Sequence, residues 1–120
     1  MDYRKAIDEA MLYCTMLPEF RCGIFVRTEV EYDAVCEFID KKTLYCIKTL
    51  GHKRFCAWIF KNASILSIVY LPNEGYHASR INMAYLSESI AQDVISTIIS
   101  PMIIPYQFRG VMKVIGADNK

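Results

Sequence analysis

The 120-residue sequence predicts an α/β fold: a mixed, mainly parallel sheet flanked by about three helices, with an antiparallel insertion in its middle. Three observations predict it. A segment of helical period leads into a short apolar run and then a second segment of helical period. Three strand-like runs follow across turn signals too short to hold a helix, so they are expected to pair antiparallel. Strand, helix and strand close the sequence, the order that returns a chain to a parallel sheet.

At the front, Ile7, Ala10, Met11, Cys14 and Leu17 recur at helical spacing, with Asp2 as cap and Pro18 closing the run. Cys22 to Arg27, centred on Ile24, Phe25 and Val26, is too brief for a helix and reads as a buried strand. Thr28 and Glu31 have capping-box spacing, and Val30, Ala34, Val35, Phe38 and Ile39 then make an apolar stripe down a helix ending near Lys42. The strand-like runs of the middle third are Leu44 to Leu50, Phe55 to Phe60 and Ile65 to Leu71, separated by Gly51-His52 and Asn62-Ala63.

Beyond Pro72-Asn73-Glu74-Gly75, Ile81 to Leu86 reads as a further strand. Ser89 with Gln92 offers a second capping box, for a helix carrying Ile90, Val94, Ile95, Ile98 and Ile99 that Pro101 and Pro105 stop. Val111 to Ile115 is the last strand and runs into Gly116-Ala117-Asp118-Asn119. With no internal repeat or linker, residues 1–120 are expected to form one domain.

Composition excludes several classes of function. Fourteen basic residues against 13 acidic ones give a net charge of +1, so no overall field draws the chain to nucleic acid or an anionic membrane, and any such binding must be local. Five cysteines without a C-x-x-C pair favour neither a zinc site nor a closed disulfide framework; reduced thiols, at least four of them buried, are expected. His52 and His77 have no partners at ligand spacing, so no metal site is expected either. The apolar stretches Ile59 to Leu71 and Ile90 to Tyr106 are interrupted by Lys61, Asn62, Gln92, Asp93 and prolines, short of the roughly 20 apolar residues a membrane helix needs. Met1 to Lys5 is charged and leads into an amphipathic helix, not into the apolar core of an export signal.

A phosphate-binding loop needs consecutive backbone N–H groups presented by glycines, a lysine for the terminal phosphates and a hydroxyl for Mg²⁺. The five glycines, Gly23, Gly51, Gly75, Gly110 and Gly116, are never followed by Lys-Ser or Lys-Thr. The chain is therefore expected not to hydrolyse ATP on its own and to take no cofactor. Glu88, an acid just before a helix, and the Gly116-Ala117-Asp118 turn after the last strand each have a plain structural alternative, the first as a cap or dipole partner and the second as a chain turn.

The order of elements resembles the ATPase domain of the large terminase subunit of tailed phages, the motor that packages viral DNA. In that family the helix after the phosphate loop leads to a strand ending in Arg-Thr; Arg4 to Met16 and Gly23 to Thr28 look similar. Asn62-Ala63-Ser64-Ile65 is similar to the family's Asn-Gly-Ser-Ile-like turn, and Ile81 to Glu88 to its acidic strand. Asp93 to Pro101 and Val111 to Asp118 match its next helix, strand and small-residue coupling loop.

The resemblance implies a P-loop-ATPase-like core lacking the P-loop. It places Ser87 where the family holds Mg²⁺ with an aspartate, Glu88 where a carboxylate activates the attacking water, and Gly116, Ala117 and Asp118 at the coupling loop. It further implies packaging partners and, for a viral protein, the cytoplasm of the host cell. A core without its phosphate-loop strand would leave a central strand edge open to a partner or a second copy.

Lys41, Lys42, Lys48, His52, Lys53, Arg54 and Lys61 surround the antiparallel strands, with Phe55, Trp58 and Phe60 interleaved. Charge plus stacking could engage DNA there, whereas alternating aromatic residues in a strand are also what a core requires. Two functions from different classes follow. One is a terminase-like core working through a packaging component; the other is a stand-alone phage-type interaction module, an accessory or inhibitor protein that binds a host or viral protein without nucleotide.

Overall fold

The computed structural model describes residues 2–42, 47–50, 55–71, 80–104 and 111–115. Helix α1 spans Tyr3–Met16, strand β1 Arg21–Val26, helix α2 Glu29–Asp40, and strands β2, β3 and β4 Ile47–Leu50, Phe55–Ile59 and Ile65–Tyr70. Strand β5 is Met83–Ser87, helix α3 Gln92–Val94, and strand β6 Val111–Ile115. The six strands form one sheet in the order β2-β3-β4-β1-β5-β6. Strand β1 runs parallel to β4 and β5, β5 parallel to β6, and β2, β3 and β4 pair antiparallel. The mixed, mainly parallel sheet with an antiparallel insertion is thus present, and the insertion forms one end of it.

The three central strands are buried on both faces, which explains their near-continuous apolar runs. Cys22, Ile24 and Val26 of β1, Leu66 and Ile68 of β4, and Met83 and Tyr85 of β5 pack with α1 and α2. The alternate residues Phe25, Val69, Ala84 and Leu86 pack on the opposite face against Ile81, Ile90, Ile99 and Met102. One helical layer therefore covers each side of the sheet.

Both caps of the first two helices form. The Asp2 carboxylate accepts from the Lys5 N–H at 2.8 Å, and the Thr28 hydroxyl accepts from the Glu31 N–H at 3.1 Å while Glu31 accepts from the Thr28 N–H at 3.1 Å. The stripe on α2 differs from expectation. Tyr32, Val35 and Ile39 are its buried residues, whereas Val30 is 78% exposed and Ala34 is exposed. Val30 and Tyr32 stand two positions apart, about 200° around the helix, so both cannot face the sheet.

The helix after β5 also departs from the sequence reading. Its cap is Ala91 with no side-chain hydrogen bond, Ile90 precedes it as a buried residue, and Ser89 is engaged with Ser87 instead of Gln92. After a single α-helical turn, Ile95–Ile99 widens into a π turn in which the Ser100 N–H reaches Ile95 O. Pro101 accounts for the stop, because its ring removes the next donor and crowds the preceding turn. Strand β5 starts at Met83, and Ile81 makes only a lone parallel bridge to Ile103.

At the end of the sheet where β1 and β4 begin, Asn62 and Ser64 close α1. The Asn62 side-chain amide donates to Cys14 O at 2.9 Å, Thr15 O at 3.2 Å and Leu17 O at 3.3 Å, the carbonyls that a helix end leaves without partners. The Ser64 hydroxyl donates to Leu17 O at 2.5 Å and accepts from the Phe20 N–H at 2.9 Å. The Asn62-Ala63-Ser64 turn, with Ala63 at φ 71°, is therefore the anchor that sets α1 across the sheet.

Candidate functional site

From β1 the chain moves through α2 and the insertion to β4 on one side, and β5 and β6 lie on the other. Helices α1 and α2 lie on one face, and the Ile99–Met102 segment on the other. The sheet therefore changes direction between β1 and β5, and in open α/β sheets the crevice beyond the carboxyl ends of the strands at such a point is where ligands bind. Arg27, Thr28, Ser87, Glu88 and Ser89 stand there, with α2 and the first turn of α1 beside them.

The crevice is organised around the carboxylate of Glu31. Its Oε1 accepts the backbone N–H groups of Arg27 at 3.0 Å and Thr28 at 3.1 Å. Its Oε2 accepts the Ser87 hydroxyl at 2.6 Å and the Tyr3 hydroxyl. Burial by itself would raise the Glu31 carboxyl; the hydrogen bonds from Ser87, Tyr3, Arg27 and Thr28 outweigh it and hold the group below its usual range. The Tyr3 hydroxyl is pushed up, by burial first and by its bond to Glu31 second, with the nearby charge of Glu88 adding to it.

The end of β5 is folded into the same network. The Ser87 and Ser89 hydroxyls lie 2.8 Å apart, the Ser89 N–H donates to Ser87 Oγ at 3.3 Å, and the Arg27 guanidinium donates to Ser89 O at 3.3 Å. Ser87 is buried, and Glu88 is exposed at the rim. The N–H groups of Arg27 and Thr28 at the end of β1, which could receive an anion, serve the Glu31 carboxylate. Glu31 was readable in the sequence only as a cap, and nothing in the pattern pointed to Tyr3, because both contacts come from tertiary placement.

A second polar cluster lies under α1. Glu9 Oε1 accepts from the Tyr85 hydroxyl of β5 at 2.5 Å and from the Lys113 ammonium of β6 at 2.6 Å. Burial pushes the Glu9 carboxyl up, but the bonds from Lys113 and Tyr85 bring it below its usual range; burial and Glu9 push the Tyr85 hydroxyl up.

Of the basic residues around the insertion, Lys48 lies in β2, Lys61 is exposed at the β3–β4 turn, and His52, Lys53 and Arg54 fall outside the described residues. Lys42 pairs with Asp8 at 3.1 Å and Lys41 with Glu37 at 3.4 Å. Trp58 is 1% exposed and donates its indole N–H to Asp40 at 3.2 Å, so its ring is core and not a stacking platform. The coupling-loop positions Gly116, Ala117 and Asp118 lie outside the described residues. Of the four described cysteines, Cys14, Cys22 and Cys56 are buried and Cys36 is half-buried, and Cys46 lies outside the described residues. Among the described residues no three His, Cys, Asp or Glu side chains gather as metal ligands, and no helix is long and apolar enough to cross a membrane.

No protein-family model and no curated protein matches the sequence. Among solved structures, the chain is similar to the large terminase ATPase domain of Thermus phage P74-26, solved as an arginine-to-alanine variant, with a TM-score of 0.62 and 16% sequence identity. The match covers 94% of this chain and 54% of that one. Over about half the length of that domain, therefore, this chain has the fold of a phage large-terminase ATPase.

Proposed function

We propose that this chain is a terminase-like core that acts in viral DNA packaging through a partner protein and does not hydrolyse nucleotide by itself. Its fold is that of a large-terminase ATPase domain, and its 120 residues contain no phosphate-binding loop. The observation that carries the reading is the Glu31 carboxylate in the switch-point crevice. It takes the backbone donors of Arg27 and Thr28 and ties up Ser87, the residue that the terminase resemblance sets at the position of the family's Mg²⁺-holding aspartate. Glu88 stands exposed beside it, and its carboxylate would have an attacking water to activate only if a nucleotide were held by another chain.

The test is a thermal melt with and without saturating Mg-ATP. The melting temperature is expected not to move, because a ligand stabilises only a state that binds it. A saturable rise of several degrees would overturn the reading. Affinity capture of the full chain from its native lysate separates the two classes of partner. Stoichiometric recovery of a portal protein, a small terminase subunit or a phosphate-loop-bearing chain supports packaging. Recovery of a host enzyme or nuclease instead moves the assignment to a stand-alone interaction module.

A further inference from the structure

Strand β6 ends the sheet: among the described residues it has a neighbour, β5, on one side only. Its sequence is Val111, Met112, Lys113, Val114, Ile115, the composition of an interior strand. Proteins commonly protect such an edge by placing a lysine along it, so that a second strand cannot pair without confronting the charge. Lys113 does not serve this purpose. Its ammonium is drawn under α1 to Glu9 at 2.6 Å, with the two side chains only 32% and 28% exposed, and the Tyr85 hydroxyl shares the same carboxylate oxygen. The one charge on β6 is neutralised from within.

We propose that two copies of this chain pair antiparallel along β6, about a two-fold axis beside Lys113, to make one continuous sheet. The pairing is self-complementary, as a two-fold interface requires: Val111 lies opposite Ile115 of the second copy and Met112 opposite Val114. Lys113 lies opposite its own counterpart, a juxtaposition that is unfavourable for bare charges. Here a row of Glu9, Lys113, Lys113 and Glu9 places each ammonium beside a carboxylate, so the ion pair under α1 is what permits the contact. The other end of the sheet is less suited, because β2 carries Lys48 and His52, Lys53 and Arg54 follow it, so self-pairing there would gather like charges. This inference is independent of the nucleotide reading.

A five-residue edge is short, so the association is expected to be weak, with a dissociation constant on the order of micromolar or above. Sedimentation velocity on the full chain, from low micromolar to submillimolar concentration, is expected to show a monomer–dimer equilibrium. Amide exchange of residues 111–115 should slow as the dimer fills. Glu9→Gln leaves each Lys113 facing its counterpart uncompensated and is expected to weaken the dimer about tenfold. The pair Glu9→Gln with Lys113→Met removes both charges and is expected to restore it, which keeps the test valid if the single variant folds poorly. A chain monomeric throughout, a dimer indifferent to Glu9→Gln, a folded double variant that stays monomeric, or exchange at 111–115 that ignores concentration would each overturn the proposal.

Discussion

The Ser87 hydroxyl donates to Glu31 Oε2 across 2.6 Å, although the two residues stand 56 apart in the sequence. The bond joins the end of β5 to the first turn of α2 and closes the crevice between β1 and β5. Removing the hydroxyl with Ser87→Ala takes one donor from an ionised carboxylate and is expected to cost about 1–2 kcal/mol in a urea melt. Ser87→Asp restores the residue type that the terminase resemblance implies, yet it sets a second carboxylate against Glu31. The like charge raises the folded-state pKa of the introduced carboxyl above its unfolded value. The resulting penalty is absent at pH below the unfolded value and grows as pH rises through the folded one. Ser87→Asp should therefore be less stable than Ser87→Ala at pH 7 and should recover on acidification. Equal stability of the two variants at pH 7 would contradict the arrangement.

Glu31 and Glu9 both have carboxyl groups held below the usual range, because hydrogen bonds from Ser87 and Tyr3 in one case, and from Lys113 and Tyr85 in the other, outweigh burial. For a group depressed in the folded state, the stabilisation is fully present above the unfolded value, about 4.3 for glutamate, and is lost as pH falls through the lower folded value. Acid should therefore destabilise the protein from about pH 4 downward. Glu31→Gln is expected to lose about 1 kcal/mol at neutral pH, chiefly from the capping box, and to show a shallower acid slope than the parent. Melts at a series of pH values read both, and an unchanged acid slope would show that Glu31 is not depressed.

Much of the fold was legible because its signals are local. Asp2, Thr28 and Glu31 announce two helix starts through side chains that cap their own backbone, and the sequence signals at Gly51-His52, outside the described residues, and Asn62-Ala63 separate strands that pair antiparallel. The helix after β5 was read less well. Ser89 has the spacing of a cap, but the buried Ser87 hydroxyl competes for it, and Pro101 together with the π turn breaks the period that Val94, Ile95 and Ile99 suggest. The centre of the site was the least legible part. Tyr3 is drawn to Glu31 by the packing of α1 over the sheet, a contact across 28 residues that no short-range spacing encodes.

Gly23 tests how closely the central strand is packed. A Cβ added there would stand 3.0 Å from Phe25 Cε1 and 3.3 Å from Ile81 Cδ1, on a strand flanked by β4 and β5. Both neighbours are buried, so the rings and methyls have little room to yield. Gly23→Ala is expected to cost about 1–3 kcal/mol by overpacking, despite the gain in strand propensity that alanine would bring on an open surface. Denaturant titration measures it, and a variant as stable as the parent would mean the face beneath α3 is looser than it stands.

Ser64 and Asn62 both hold the end of α1, but they differ in burial, and burial decides their weight. Ser64 is fully buried, accepts the buried Phe20 N–H and donates to Leu17 O, so Ser64→Ala takes the side-chain acceptor from a main-chain N–H inside the core. That loss is expected to cost about 2–3 kcal/mol. Asn62 is partly exposed and donates to three carbonyls at a helix end, where water can replace much of what the amide supplies. Asn62→Ala is accordingly expected to cost about 1 kcal/mol. Equilibrium unfolding of the two variants side by side checks the order. If Asn62→Ala were the more damaging, the three-carbonyl clasp, and not the buried hydroxyl, would be what positions α1 and with it Tyr3 over the crevice.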